Sequence, residues 1–147
     1  MPLANRVFRG PHDREPQTVS RNVSGALLPC TFVSLAGVGA VAQATAPAAM
    51  LGLLGNRDFY DQDLDQAYVS GEMGVIYRIR PDDDYQVAMA AGTYTVGQEL
   101  TVAASGRLAA AATGNVVVAF YNDAAQLGAL TAGRRADVRI ANFYAKP

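Results

Sequence analysis

The chain has 147 residues, half of them hydrophobic, and a formal net charge of −1. This length fits one domain with a core of its own, and no apolar run approaches the roughly 20 residues of a membrane-spanning helix. The basic residues are dispersed and not interleaved with aromatic ones, which argues against direct nucleic-acid binding.

Two residue types occur once each. Cys30 is the single cysteine and His12 the single histidine. A lone cysteine cannot form a disulfide or a thiolate metal cluster within one chain. We therefore expect Cys30 to be a small core residue and His12 to be a surface residue.

The first 25 residues differ in character from the rest. Residues 1–25 are polar, contain Pro2, Pro11 and Pro16, and lack helical or strand periodicity. Such a segment is typical of an extended arm. We therefore divide the chain into an extended N-terminal arm, residues 1–25, and a single β-domain, residues 26–147.

From Leu27 onward, short β-prone runs alternate with glycine and proline. "LLPCTFVSL" and "VGAVAQAT" are separated by a glycine-containing turn, and Pro47 precedes "AMLGLLGN". Apolar runs of this length bounded by turn residues indicate short strands.

The stretch "DQDLDQAYVSGE", residues 61–72, has the carboxylate spacing of an EF-hand calcium loop. The candidate ligands are its first, third, fifth and twelfth residues: Asp61, Asp63, Asp65 and Glu72. The sixth position, where such a loop needs glycine for a sharp turn, is Gln66, and neither flank has a helical pattern. We regard these four residues as a weak metal candidate and expect an acidic surface loop that leads into a strand.

The second half predicts further strands. "MGVIYRIR" and "YQVAMAAG", separated by "PDDD", indicate a hairpin, and "ADVRIANFYA" predicts a last strand with Val138, Ile140 and Phe143 facing inward. Eight or nine short strands at this spacing indicate a compact all-β sandwich or barrel.

Charge is distributed unevenly. Residues 58–84 carry −6, whereas residues 1–25 carry +2 and residues 134–147 carry +3. Unlike charges of this kind suit contacts between neighbouring chains, or they are simply solvated.

No catalytic pattern stands out. The sequence lacks a phosphate loop and a nucleophile elbow, and adjacent acids such as Asp82 and Asp84 are typical of turns. We expect no enzymatic activity and no cofactor.

Residues 67–125 resemble the head decoration (capsid cement) proteins of tailed bacteriophages. A "Gly-Glu" before a strand, a "Pro-Asp" turn and a glycine-bounded module recur in that family in order, and "GALLPCTFVSL" resembles its first strand. The module residues here are Gly92, Tyr94, Gly97, Leu100, Ala103, Gly106, Leu108, Ala111 and Ala119.

The resemblance implies a β-tulip-like or β-barrel domain, often a homotrimer, on the outer capsid surface of the virion. Its partners would be the major capsid protein and copies of itself, with no membrane or direct nucleic-acid contact. In that family an N-terminal arm commonly joins neighbouring capsomers, so we expect contacts to capsid or oligomer from Arg6, Val7, Phe8, Arg9, Arg14 and Arg21.

An alternative is a carbohydrate- or small-ligand-binding β-domain on a virion or cell surface. Its aromatic stacking faces would come from Tyr60, Tyr68, Tyr77 and Tyr85. We expect two of these four tyrosines to be core residues instead.

Overall fold

The computed structural model describes residues 6–125 and 128–147. These residues contain eleven strands in two antiparallel sheets and two short 3-10 turns, Asp58–Tyr60 and Ala104–Gly106. None of them belongs to a helix long and apolar enough to cross a membrane. The strands are β1 Phe8–Gly10, β2 Gln17–Asn22, β3 Phe32–Ser34, β4 Ala42–Gln43, β5 Leu51–Leu54, β6 Met73–Arg78, β7 Asp84–Ala88, β8 Glu99–Val102, β9 Leu108–Ala110, β10 Val116–Tyr121 and β11 Arg135–Ala145.

The two sheets have six and five strands. The six-stranded sheet has the order β1-β7-β11-β10-β8-β9, and the five-stranded sheet has the order β2-β6-β5-β3-β4. The all-β prediction is confirmed. Over the described residues each sheet keeps two edge strands and neither closes into a barrel, so the fold is a compact sandwich; the β-tulip arrangement stays a prediction.

Successive side chains on the five-stranded sheet pack into two different hydrophobic clusters. Phe32, Leu53 and Tyr77 contact the main cluster that lies between the sheets, whereas their neighbours Leu54 and Ile76 belong to a second cluster. Successive residues of a strand face opposite sides, so the second cluster covers the outer face of this sheet. Cys30 is fully buried in the main cluster, as expected, and burial raises the pKa of its thiol to about 12.

The predicted hairpin between β6 and β7 is wrong. β6 pairs with β2 and β5 in one sheet, and β7 pairs with β1 and β11 in the other. The "PDDD" segment carries the chain from sheet to sheet, with Asp83 completely buried. Both segments are antiparallel strands joined by turn residues, so their sequences do not distinguish a hairpin from this crossing.

The last strand is confirmed. Val138 and Ile140 are buried, and the partly buried Phe143 packs against the same main cluster. The register of β10 against β11 shifts between Val117 and Ala119. Residues three apart on a regular strand face opposite sides of the sheet. The extra residues of β11 at this bulge explain why Phe143 nevertheless lies on the same side as Ile140.

The N-terminal segment supplies strands to both sheets. β1 pairs with β7, and β2 pairs with β6 along its whole length from Gln17 to Asn22. Residues 1–5 of the predicted arm lie outside the described residues. The division of the chain at residue 25 stays a prediction, but residues 8–10 and 17–22 belong to the sandwich.

Several oppositely charged regions meet within the chain. From the C-terminal region, Arg135 pairs with Asp65 at 2.7 Å and Arg139 with Asp84 at 2.9 Å. From the N-terminal region, Arg14 pairs with Asp83. For these residues, the uneven charge along the sequence therefore becomes ion pairing between segments of one chain.

Candidate interaction surface

The four candidate calcium ligands of the acidic loop have different surroundings. It lies between strands β5 and β6 instead of two helices, the Asp65 carboxylate accepts a hydrogen bond from Arg135, and Glu72 pairs with Arg57. Among the described residues, no group of three or more His, Cys, Asp and Glu side chains converges to hold a metal ion. Asp61, Asp63 and Asp65 are exposed, which confirms the expected acidic surface loop.

Buried polar side chains give this loop its shape. Asn56 donates to the Gln62 carbonyl at 2.8 Å, and the Gln62 Oε1 accepts the Arg57 backbone N–H at 2.9 Å. Leu64 and Tyr68 are buried beneath the loop, and the Tyr68 hydroxyl donates to the Gly55 carbonyl. A loop with buried, satisfied polar groups holds a defined conformation.

The 3-10 turn Asp58–Tyr60, just before this loop, presents two adjacent aromatic rings to solvent. Phe59 is 73% exposed and Tyr60 70% exposed, with ring centroids 4.7 Å apart. The Arg57 guanidinium lies 5.5 Å from the Tyr60 ring centroid and 4.9 Å from that of the buried Tyr68. Arg57 therefore links the exposed ring to the core by cation–π contacts.

Glu72 forms an ion pair with Arg57. Its carboxylate accepts the Val69 backbone N–H at 2.6 Å and lies 3.1 Å from the Arg57 Nη2. The Val69 hydrogen bond and then Arg57 lower the pKa of Glu72, so the carboxylate is ionised at neutral pH.

The two rings border a groove of about 540 Å³ beside an edge strand. Met73, 52% exposed, and Val75 come from β6, and Ser20 comes from the edge strand β2. We call Ser20, Arg57, Phe59, Tyr60, Met73 and Val75 the aromatic surface. Neighbouring exposed apolar side chains of this kind are typical of a binding surface.

Three of the predicted contact residues lie next to the aromatic surface. Arg6, Val7 and Phe8 line a groove of about 190 Å³ together with Asp58 and Tyr77. Asp58 is the chain neighbour of Phe59, so the two grooves adjoin. Arg6 is exposed, whereas Val7 is only 1% exposed and is a core residue.

Phe8 packs inside its own chain. Its ring stacks on Tyr77 at a centroid distance of 6.4 Å and meets Tyr85 edge-on at 5.5 Å. Burial, followed by the charge of Asp58, raises the pKa of Tyr77. That Phe8 fills a pocket on another protein stays a prediction.

The other three predicted contact residues have partners in their own chain. Arg9 lies 3.2 Å from Asp137, Arg14 contacts Asp83, and Arg21 donates to the carbonyls of Leu35, Gly37 and Gly39. Their proposed role in capsid or oligomer contacts stays a prediction. Each of them supports the fold by tying the N-terminal segment to a distant part of the sandwich.

The four tyrosines of the ligand-binding alternative separate as expected. Tyr68 and Tyr85 are core residues at 1% and 0% exposure, Tyr77 is partly buried, and Tyr60 is exposed. Phe59 and Met73 were not among the predicted contact residues. The signal for Phe59 was present in "NRDFYDQD", where two adjacent aromatic residues stand among polar ones and so have no apolar strand to join.

The sandwich resembles a solved structure. No protein-family model matches the chain, and no curated protein matches it. The chain is similar in fold to the head fiber gp8.5 N base of bacteriophage phi29, with a TM-score of 0.57 and 12% sequence identity, over 90% of this chain and 98% of that one. At this identity the likeness shows a similar fold.

Proposed function

We propose that the chain is a structural protein of a tailed-phage head that docks on the outer capsid surface and stabilises junctions between major capsid protein subunits. The supporting observation is the fold likeness to a head fiber base, which extends over nearly the full length of both chains. The module from Gly92 to Ala119, which resembles capsid cement proteins, supports the same role independently.

The module contributes strands β10, β8 and β9, which form the end of the six-stranded sheet opposite β1. Leu100 lies in β8, Leu108 in β9 and Ala119 in β10, and all three are buried in the main cluster. Tyr94 stacks on Tyr121 at 5.5 Å and donates its hydroxyl to the Ala90 carbonyl. These residues build the domain, so contacts to other proteins must come from elsewhere on the surface.

The aromatic surface is the best candidate for that contact. Exposed aromatic residues on a rigid support bury large areas with little loss of conformational entropy, and such residues dominate binding energies at interfaces. The groove with Arg6 and Phe8 extends this surface and joins it to the N-terminal segment. A small protein that buries such a surface across each capsid seam stabilises the shell by mass action at many sites.

Co-sedimentation with expanded capsids of the cognate phage tests this proposal. We expect saturable binding of the intact chain and at least about tenfold weaker binding of the double variant Phe59→Ser, Tyr60→Ser, since each aromatic anchor contributes about 1–2 kcal/mol or more. Deleting residues 1–25 is a poor test because it removes β1 and β2 from the sheets.

The matched control is the double variant Val38→Ser, Val96→Ser. Both residues are exposed and apolar, at 98% and 58%, and lie outside the aromatic surface. We expect it to bind like the intact chain. Failure of the intact chain to bind capsids would contradict the proposed function, whereas equal loss in both double variants would contradict only the assigned surface.

Sedimentation velocity of the free chain tests whether it forms the homotrimer that the family resemblance implies.

The ligand-binding alternative depends on the same rings. Tyr60 and Phe59 offer stacking faces, and the Arg57–Glu72 pair offers polar groups beside them. A screen against soluble glycans separates the two functions. Glycan binding that disappears in Phe59→Ser, Tyr60→Ser, with no capsid binding by the intact chain, favours the alternative.

A further inference from the structure

A pocket separate from these two grooves lies where loops of both sheets meet, and two arginines line it. Its volume is about 250 Å³, and Arg107 and Arg135 both line it, together with Ser105 and Gly133. Arg107 follows the 3-10 turn Ala104–Gly106, and Arg135 is the first residue of β11. The fold thus brings two guanidinium groups from distant segments to one cavity that does not belong to the aromatic surface.

The Arg107 guanidinium lies beside Gly133. A Cβ atom at Gly133 would lie 3.4 Å from the Arg107 Nη2 and 3.8 Å from its Cζ and Nε. The Arg107 guanidinium is therefore next to the turn that precedes Arg135. Gly133 also has a φ of +88°, which glycine adopts readily.

The Arg135 guanidinium is only partly satisfied. Its Nη1 donates to the Asp65 carboxylate at 2.7 Å, but its Nε is buried and has no hydrogen-bond partner among the described residues. A buried donor on a charged group without a partner is costly, so the Arg135 guanidinium keeps hydrogen-bonding capacity that Asp65 does not use.

The charge balance of the pocket specifies the acceptor. Two arginines and Asp65 leave a formal charge of +1, which one monovalent anion neutralises. A carboxylate matches the planar fork of a guanidinium and accepts two parallel hydrogen bonds from it. The Ser105 hydroxyl, also at the pocket, adds a further donor.

We propose that the pocket between Arg107 and Arg135 binds a single carboxylate group, which is held by the guanidinium groups of these two residues. Asp65 is the internal competitor for this site. Its side chain is 85% exposed, so it is held on Arg135 by the ion pair alone and not by packing. This inference does not depend on the proposed capsid role.

NMR titration of the full chain with sodium acetate at constant ionic strength tests the site. We expect saturable shifts of the Arg135 Nε–H and Ser105 signals with a Kd of about 1–10 mM, the range for a few charge-assisted hydrogen bonds in a partly exposed site. Arg107→Gln should weaken binding at least about tenfold, and Asp65→Asn should tighten it several-fold because the competing carboxylate is gone.

Arg134→Gln is the matched control. Arg134 is exposed and adjacent to Arg135, and it does not line the pocket. We expect unchanged acetate binding, so a general effect of lost positive charge is distinguished from loss of the site. Circular dichroism of each variant verifies folding, and the exposed Asp65→Asn substitution provides a test even if Arg107→Gln unfolds.

Three outcomes overturn the proposal. Absence of saturable shifts would mean that the pocket holds water only, and equal weakening in Arg107→Gln and Arg134→Gln would mean non-specific attraction. Tighter binding of phosphate than of acetate would exclude a carboxylate site. Comparison of acetate with N-acetyl-aspartate amide then separates the sources: tighter binding of the blocked aspartate supports a partner's acidic side chain, and tighter binding of acetate supports a free carboxylate.

Discussion

At the residue scale, Asp83 controls how the chain passes from one sheet to the other. Its side chain has no exposed surface and receives hydrogen bonds from Arg14 and, at 3.2 Å, from the Arg80 Nε. Its carbonyl also accepts the Ile140 backbone N–H at 2.9 Å. The Asp83 carboxylate thus joins the N-terminal segment to the sheet-crossing segment, and its backbone carbonyl joins the last strand.

Asp83→Asn should therefore destabilise the fold. We expect a loss of about 2 kcal/mol in the free energy of unfolding, below the roughly 3–5 kcal/mol of a fully buried ion pair. The reason for the smaller value is that Arg14 and Arg80, 41% and 30% exposed, can turn toward water once the charge is lost. Urea unfolding followed by tyrosine fluorescence measures the change.

Asp82→Asn is the control for this substitution. Asp82 is the exposed neighbour of Asp83 and has a φ of 70°, a conformation that asparagine tolerates as well as aspartate. Its effect should remain within about 0.5 kcal/mol, as for other surface substitutions. Equal effects of the two variants would show that the buried carboxylate is not the important contact.

At the scale of elements, the 3-10 turn Ala104–Gly106 packs directly on the backbone of β3. A Cβ atom at Gly106 would lie 2.6 Å from the Phe32 carbonyl oxygen and 2.8 Å from the Phe32 nitrogen. Gly106 also has a φ of +67°. The turn belongs to the six-stranded side and β3 to the five-stranded sheet, so this contact joins the two sheets at close range.

Gly106→Ala should be strongly destabilising, by about 3 kcal/mol. Positive φ costs a residue with a Cβ about 1–2 kcal/mol, and overpacking against backbone adds about 1–3 kcal/mol. Gly114→Ala isolates the first contribution, because Gly114 has a φ of +88° and nothing within 4 Å of its Cβ position. Thermal unfolding of both variants separates backbone strain from the sheet-to-sheet contact, and equal losses would argue against that contact.

Strand positions could be predicted from the sequence, but strand partners could not. The alternation in "MGVIYRIR" and the inward residues Val138 and Ile140 follow from local periodicity. Whether β6 pairs with β7 or with β2 depends on contacts between segments distant in sequence. The exposure of Phe59 and Tyr60 could not be predicted for the same reason, because it depends on which residues pack into the core beneath the loop.

At the scale of the whole molecule, the first and last segments that the structure describes are tied into the sandwich. The N-terminal Arg9 pairs with Asp137 of the last strand, and the C-terminal Lys146 lies 3.6 Å from Glu99 of β8. Polarity and proline content predicted an extended arm for residues 1–25, and both are compatible with the short edge strands β1 and β2 because edge strands tolerate polar residues. Composition alone therefore does not separate an arm from an edge strand.

Native-state hydrogen exchange distinguishes an arm that detaches in solution from strands that stay paired. The Val23 N–H donates to the Glu72 carbonyl at 2.9 Å, and the Gln86 N–H donates to the Val7 carbonyl at 2.8 Å. If β1 and β2 stay paired, both amides should be protected to within about tenfold of the amide of Leu54 in β5, which donates to the Thr31 carbonyl at 3.0 Å and does not depend on β1 or β2. Val38, 98% exposed in the loop between β3 and β4, is the reference for rapid exchange. Exchange of Val23 as rapid as that of Val38 would mean that the segment leaves the sandwich and is available to reach a neighbouring protein.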